Sequence, residues 1–176
     1  LQAVSSAPSA PTKWDGFVMK LNAQGTEVLW CAYFGGNDDD EVHDIDVDDF
    51  NNVWIAGETS STNFPCVNAT QDTLHGDSDA FVGWIKQGGI GLLFSTYYGG
   101  DGNETAYGLY AYSDKWGDHT LNVVGKTDGE LPETSMPYWE QGPGGGTDAF
   151  RAVFDYVWSD AVWEQTEMWR YGGTGA

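Results

Sequence analysis

Eight carboxylates fall within the twelve residues Asp38 to Asp49, in the run Asp38-Asp39-Asp40-Glu41 and the alternation Asp44-Ile45-Asp46-Val47-Asp48-Asp49. On an extended strand Asp44, Asp46 and Asp48 share one face, because side chains alternate with a period of two. Like charges this close repel unless water, a proton or a cation intervenes. Hard oxygen donors suit Ca²⁺, which makes Asp38, Asp40, Asp44, Asp46 and Asp48 candidate ligands. The spacing is not that of an EF-hand, since no Gly stands at the sixth position and no Glu closes a twelve-residue loop. The plainer alternative is a solvated acidic loop. On that reading no cofactor is required, and calcium is the one the loop could take.

Two cysteines, Cys31 and Cys66, form an even count. A bridge between them would close a loop of about 36 residues and stabilise by roughly 4 kcal/mol on the chain-entropy model. Two separate buried thiols are the alternative. Asn68-Ala69-Thr70 and Asn103-Glu104-Thr105 fit the N-glycosylation pattern, with Asn68 and Asn103 as acceptors. Of the nine Trp residues, Trp30, Trp54 and Trp84 stand at strand positions and read as packing. Trp116, Trp139 and Trp158 fall in turn-like stretches, where an indole can stack on a sugar ring. No Gly-x-Ser-x-Gly elbow, His-Glu-x-x-His pair or phosphate-binding Gly loop is present. Carboxylate pairs abound, but none is singled out as the couple of a glycan hydrolase. The reading is of a non-enzyme.

The elements that carry these residues are set by a repeat. Trp14 to Ile45 aligns with Ser78 to Leu109 at a constant offset of 64 residues, without a gap. Asp15-Gly16-Phe17-Val18 meets Asp79-Ala80-Phe81-Val82, and Tyr33-Phe34-Gly35-Gly36 meets Tyr97-Tyr98-Gly99-Gly100. A third copy runs from Asp148-Ala149-Phe150 to Tyr171-Gly172-Gly173, with four extra residues. Between copies, Ile55-Ala56-Gly57-Glu58-Thr59 matches Val123-Val124-Gly125-Lys126-Thr127. Each unit holds four short strand-like runs separated by turn residues, which predicts an antiparallel all-β meander. Val28 to Phe34 and Leu92 to Tyr98 show no polar alternation, so these sheets are apolar on both faces and need a neighbour on each side. Propeller blades meet that need.

The pattern Asp-Ala-Phe-Val, Gly, Leu, Tyr-Tyr-Gly-Gly, Gly-x-Thr, Phe-Pro resembles the bacterial seven-bladed β-propeller (SBBP) repeat, from Trp14 to Gly173. The resemblance implies a propeller fold, an extracellular or cell-surface setting and a structural or binding role. It brings no catalytic residue. The sequence departs from the family at Asp44 and Asp46, where small residues are usual, and in the extra residues of the third copy.

The expected organisation is an extended arm at 1–13, a half-blade at 14–36, and blades at 37–100 and 101–176. About two and a half antiparallel four-stranded blades result, open at both ends. A ring needs roughly four to eight. An open set leaves an apolar face at each flank and unpaired strand edges. Further blades or other copies of the chain must cover them, and complementary flanks would build rings or filaments. The arm could itself be a strand donated to a neighbour.

Composition narrows the partners. Seven Lys and Arg against 27 Asp and Glu give a net charge of -20. No basic face for nucleic acid can be built from this, and an anionic membrane repels it. No run approaches the ~18 apolar residues of a membrane-spanning segment. Leu1 is preceded by no start Met or leader, so the chain reads as a mature or excised segment. The expected function is a non-enzymatic extracellular structural protein, self-associating into a scaffold or filament. A carbohydrate-binding module is the second reading, and a glycan hydrolase or lyase the third.

Overall fold

The computed structural model describes residues 13–114, 116–132, 139–140, 146–157 and 162–171. Its strands are β1 (Gly16–Leu21), β2 (Val28–Phe34), β3 (Asp40–Val47), β4 (Val53–Thr59), β5 (Asp79–Ile85), β6 (Leu92–Tyr98), β7 (Glu104–Ser113), β8 (His119–Thr127), β9 (Trp139–Glu140), β10 (Asp148–Val157) and β11 (Val162–Tyr171). They form three sheets: β1-β2, then β3-β4-β5-β6, then β7-β8-β10-β11-β9. All neighbours are antiparallel except β9, which adds to β11 in parallel. That fifth strand departs from the four-stranded expectation. The expected arm at 1–13 lies, Lys13 apart, outside the described residues.

Short turns set the register. Between β3 and β4 the Asn51 N–H bonds back to the Asp48 carbonyl, and Asn51 itself takes a φ of 62°. Asn tolerates this left-handed geometry better than most residues, because its short polar side chain bonds locally. Val47 then faces Val53, and the pairing runs out to Asp40 opposite Thr59.

The middle sheet behaves as the apolar strands require. Every residue of β5 is buried, and β4 is buried but for Glu58. Alternate side chains face opposite neighbours. Phe81, Ile55 and Tyr97 join Phe34 and Val18 of the first sheet in one core. Trp54, Val82 and Trp84 join Phe150, Phe154 and Trp163 of the third in another. The Trp54 and Trp84 rings stack at 4.9 Å with 10° between their planes. Trp163 meets both edge-on, the geometry that aromatic quadrupoles favour.

The two flanks differ in make-up. The outer face of the first sheet is apolar, with Phe17, Met19 and Tyr33 exposed. On the third sheet the positions that match Trp54, Val82 and Phe94 carry Asn122, Arg151 and Glu167. Arg151 donates from Nε to Asn122 Oδ1 at 3.2 Å and from Nη1 to Glu167 Oε2 at 3.1 Å. Beside them Asp155 accepts from the Thr120 and Thr166 hydroxyls, each at 2.6 Å. These polar groups satisfy one another, while Tyr110 and Tyr112 stand exposed on the same face.

Candidate functional site

The acidic strand β3 lies beside β7, the first strand of the third sheet, whose second edge has no strand partner among the described residues. Asp44 and Asp46 supply one. Asp44 Oδ2 accepts from the Leu109 N–H at 2.8 Å, and Asp46 Oδ2 from the Ala111 N–H at 2.9 Å. Asp48 Oδ2 accepts from the Ser113 hydroxyl at 3.4 Å. Asp48 also caps its own turn, taking the N–H of Phe50 and Asn52 on Oδ1 and the Trp54 indole N–H on Oδ2. Carboxylates thus replace a β-ladder between two sheets, through charge-assisted hydrogen bonds.

The other two expected metal ligands lie elsewhere. Asp38 pairs with Lys13, which also reaches Asp39 at 3.2 Å. Asp40 is buried, and its Oδ2 accepts from the Gly36 N–H and the Ser61 hydroxyl, both at 2.7 Å. Among the described residues no three His, Cys, Asp or Glu side chains converge on one point. Asp44, Asp46 and Asp48 all reach towards β7, but what they meet there is two backbone N–H groups and the Ser113 hydroxyl.

Buried carboxyl groups recur at the Gly-Gly corners, a feature missed in the sequence. Asp79 and Glu104 flank Gly99. A Cβ built on Gly99 would lie 2.5 Å from Asp79 Oδ1 and 2.4 Å from Glu104 Oε2. Gly35 stands likewise between Asp15 and Asp40, at 2.6 and 2.7 Å. Asp79 Oδ2 accepts from Gln71 Nε2 and the His75 N–H, whereas Oδ1 has no hydrogen-bond partner among the described residues. Burial pushes the Asp79 carboxyl up to about 7, and the Glu104 charge adds to the rise. Burial likewise raises Asp40 and Glu104 above the usual carboxylate range. In the third copy Asp148 meets Arg170 at 2.9 Å, both side chains buried. The signal was in the repeat, because the offset of 64 carries Asp15 onto Asp79 and Asp40 onto Glu104.

Cys31 and Cys66 are free thiols in this structure, so the bridge that their even count allows is not made. Cys31 pairs with Met19 on the outer face of the first sheet, while Cys66 packs on the core along its inner face. The sheet separates them. Burial pushes the Cys66 thiol up to about 11. Asn68 is exposed and donates from Nδ2 to the Leu93 carbonyl. Asn103 is half-buried, with its amide on Asp128. Trp116 is 72% exposed in the turn between β7 and β8. Trp139 opens β9, and Trp158 lies outside the described residues. A cleft of about 340 Å³ on the third sheet is lined by His119, Thr120, Asp155 and Glu164. Burial lowers His119, and both Asp155 oxygens are already engaged by hydroxyls.

Stacked antiparallel sheets, each feeding the next through a Tyr-x-Gly-Gly corner, are consistent with partial propeller blades. Residues 29–65 match the family model of the SBBP beta-propeller repeat. This stretch runs from β2 through β4 to the Phe64-Pro65 loop and supports, over those residues, the resemblance to the SBBP repeat read from the sequence. The search of curated proteins found no match.

Proposed function

We propose that this chain is a non-catalytic structural module of an extracellular β-propeller assembly, which docks further propeller blades on the open flank of its first sheet. The observation that carries this is the apolar face made by Phe17, Met19 and Tyr33, all exposed. Fully burying one such side chain contributes about 1.5–3 kcal/mol, so together they form a large driving force for association. The non-catalytic reading is supported by the acidic run, whose carboxylates already accept hydrogen bonds from the fold.

A charge of -20 on each copy opposes close approach, so association between copies should strengthen as salt shortens the Debye length. Light scattering of the purified chain, across concentration and from low to physiological salt, tests the proposal. Particles heavier than the 19.2 kDa chain are expected, and Phe17→Asp with Tyr33→Asp should return them to single chains. A particle of one chain under every condition would sink the assembly reading.

The exposed Trp116, with Tyr110 and Tyr112 on the outer face of the third sheet, supports carbohydrate binding as a second reading. Glycan-array binding lost on Trp116→Ala would favour it.

A further inference from the structure

We propose that the corner beneath Gly99 binds one small monovalent cation, sodium or potassium, between the carboxylates of Asp79 and Glu104. Both side chains are wholly buried, at 0% exposure. Asp79 Oδ2 accepts from Gln71 and the His75 N–H, and the Glu104 oxygens accept from the Thr127 hydroxyl and the Gly100 N–H. Asp79 Oδ1 has no hydrogen-bond partner among the described residues. It points to where Gly99 lacks a side chain, since a Cβ built there would lie 2.5 Å from it and closer still to Glu104 Oε2. The two oxygens are therefore no further apart than twice that distance. Hard cations take oxygen ligands at about 2.3–2.6 Å, so one ion bridges a gap of that width.

The third copy of the repeat shows what this position demands. Asp148 is the equivalent of Asp79, and Arg170 donates to its Oδ2 at 2.9 Å, with both side chains buried. The same guanidinium reaches Glu130 Oε2 at 3.5 Å. One positive charge thus lies between two carboxylates. In the second copy Tyr97 stands where Arg170 stands in the third, opposite the equivalent phenylalanine. The charge that faces Asp79 is a second carboxylate, Glu104. Two buried like charges repel, and a single positive charge restores the balance seen beside Asp148.

A cleft of about 730 Å³ gives the ion a route. Its lining includes Gln71, Gly99, Gly100, Asp101 and Glu130, and the two acids draw cations towards it. Gln71 joins the cleft to the pair. Its Nε2 donates to Asp79 Oδ2 at 2.7 Å, and its Oε1 accepts from the Gly99 N–H at 3.1 Å. Rotating this one side chain uncovers the corner.

The melting temperature of the intact chain at pH 8, in sodium, potassium or tetramethylammonium chloride of equal ionic strength, tests the site. Tetramethylammonium screens charge to the same extent but is too large for the corner. A cation that binds only the folded chain stabilises it by mass action. Sodium or potassium should therefore raise the midpoint by at least about 2 °C over tetramethylammonium. The difference should vanish in Asp79→Asn and in Glu104→Gln. It should remain in Asp72→Asn, which removes one exposed charge from the neighbouring loop. If one corner variant fails to fold, the other decides. Equal midpoints in all three salts overturn the inference and leave a proton to hold the pair. A difference that survives in the corner variants, or is lost in Asp72→Asn, reports a general salt effect and overturns it as well. None of these outcomes bears on assembly, which light scattering reads separately.

Discussion

The carboxylate of Asp46 accepts the backbone N–H of Ala111 at 2.9 Å, across the gap between two sheets and 65 residues along the chain. Asp44 does the same for Leu109, also 65 residues on. Each aspartate thus holds the first strand of the next sheet within one residue of its own repeat-equivalent position. A hydrogen bond to a charged group contributes roughly 1.5–3 kcal/mol, less where water competes. Asp46 is half-buried, so Asp46→Ala should cost about 1–2 kcal/mol in urea unfolding. Asp46→Asn, which keeps an acceptor oxygen, should cost less. A chelator should leave the midpoint of the parent protein where it was, whereas a calcium-held cluster would lose stability. Equal costs for Ala and Asn would remove the hydrogen bond from the explanation.

The Asp79 carboxyl gives the fold a pH dependence of definite sign. Its ordinary value is 3.8, and burial followed by the Glu104 charge raises it to about 7 in the folded chain. A raised carboxyl binds its proton more tightly when folded, so stability falls as pH climbs from about 4 to about 7 and then levels. Asp40 and Glu104 are shifted in the same direction. Asp79→Asn should raise the melting temperature at pH 8, with the gain shrinking towards pH 5. A gain independent of pH would show that ionisation at this site is not what costs stability.

Gly99 tests the same corner by shape. A methyl group there would press on both Asp79 and Glu104, inside 2.6 Å of each. Overpacking of this kind costs about 1–3 kcal/mol, and the buried carboxyls have little room to move. Gly99→Ala should therefore fall at the upper end of that range in denaturant titrations. Gly91 is the control, since a Cβ there meets nothing within 4 Å, and Gly91→Ala should be neutral or slightly stabilising. Similar losses at both glycines would contradict the packing argument.

Much of this was legible before any coordinates. The offset of 64 and the unbroken apolar runs required stacked sheets, and β5, buried along its whole length, is that requirement met. The one-face placement of Asp44, Asp46 and Asp48 was also readable from strand geometry. Their partners were not, because the Leu109 and Ala111 amides are backbone groups and carry no residue-type signal. The Asp79 and Glu104 corner could have been found by asking which acids recur at the repeat offset. The free cysteines turn on the two sides of one thin sheet, which spacing along the chain does not encode. Trp139 and Glu140 of β9 lie in the variable loop after Leu131-Pro132, whose residues do not repeat those of the loop after Phe64-Pro65 that bridges Val67 to Ser95, so nothing periodic announced a parallel strand.

The third sheet's outer face carries the last prediction. Arg151, Asn122 and Glu167 occupy positions where the middle sheet has Val82, Trp54 and Phe94, and they bond to one another. If a second copy laid its Phe17 face here, the pair Arg151 and Glu167 would lose its water. Desolvating an ion pair costs several kcal/mol per ion unless new bonds replace the water, and an apolar face offers none. Head-to-tail stacking of copies is therefore blocked by chemistry on one side only. Arg151→Val combined with Glu167→Phe should lift the block and give particles whose mass grows steadily with concentration in light scattering. Adding Phe17→Asp should abolish that growth, because the opposite flank is then polar. If the double variant instead behaves like its parent, the Arg151–Glu167 pair is not what stops copies from stacking.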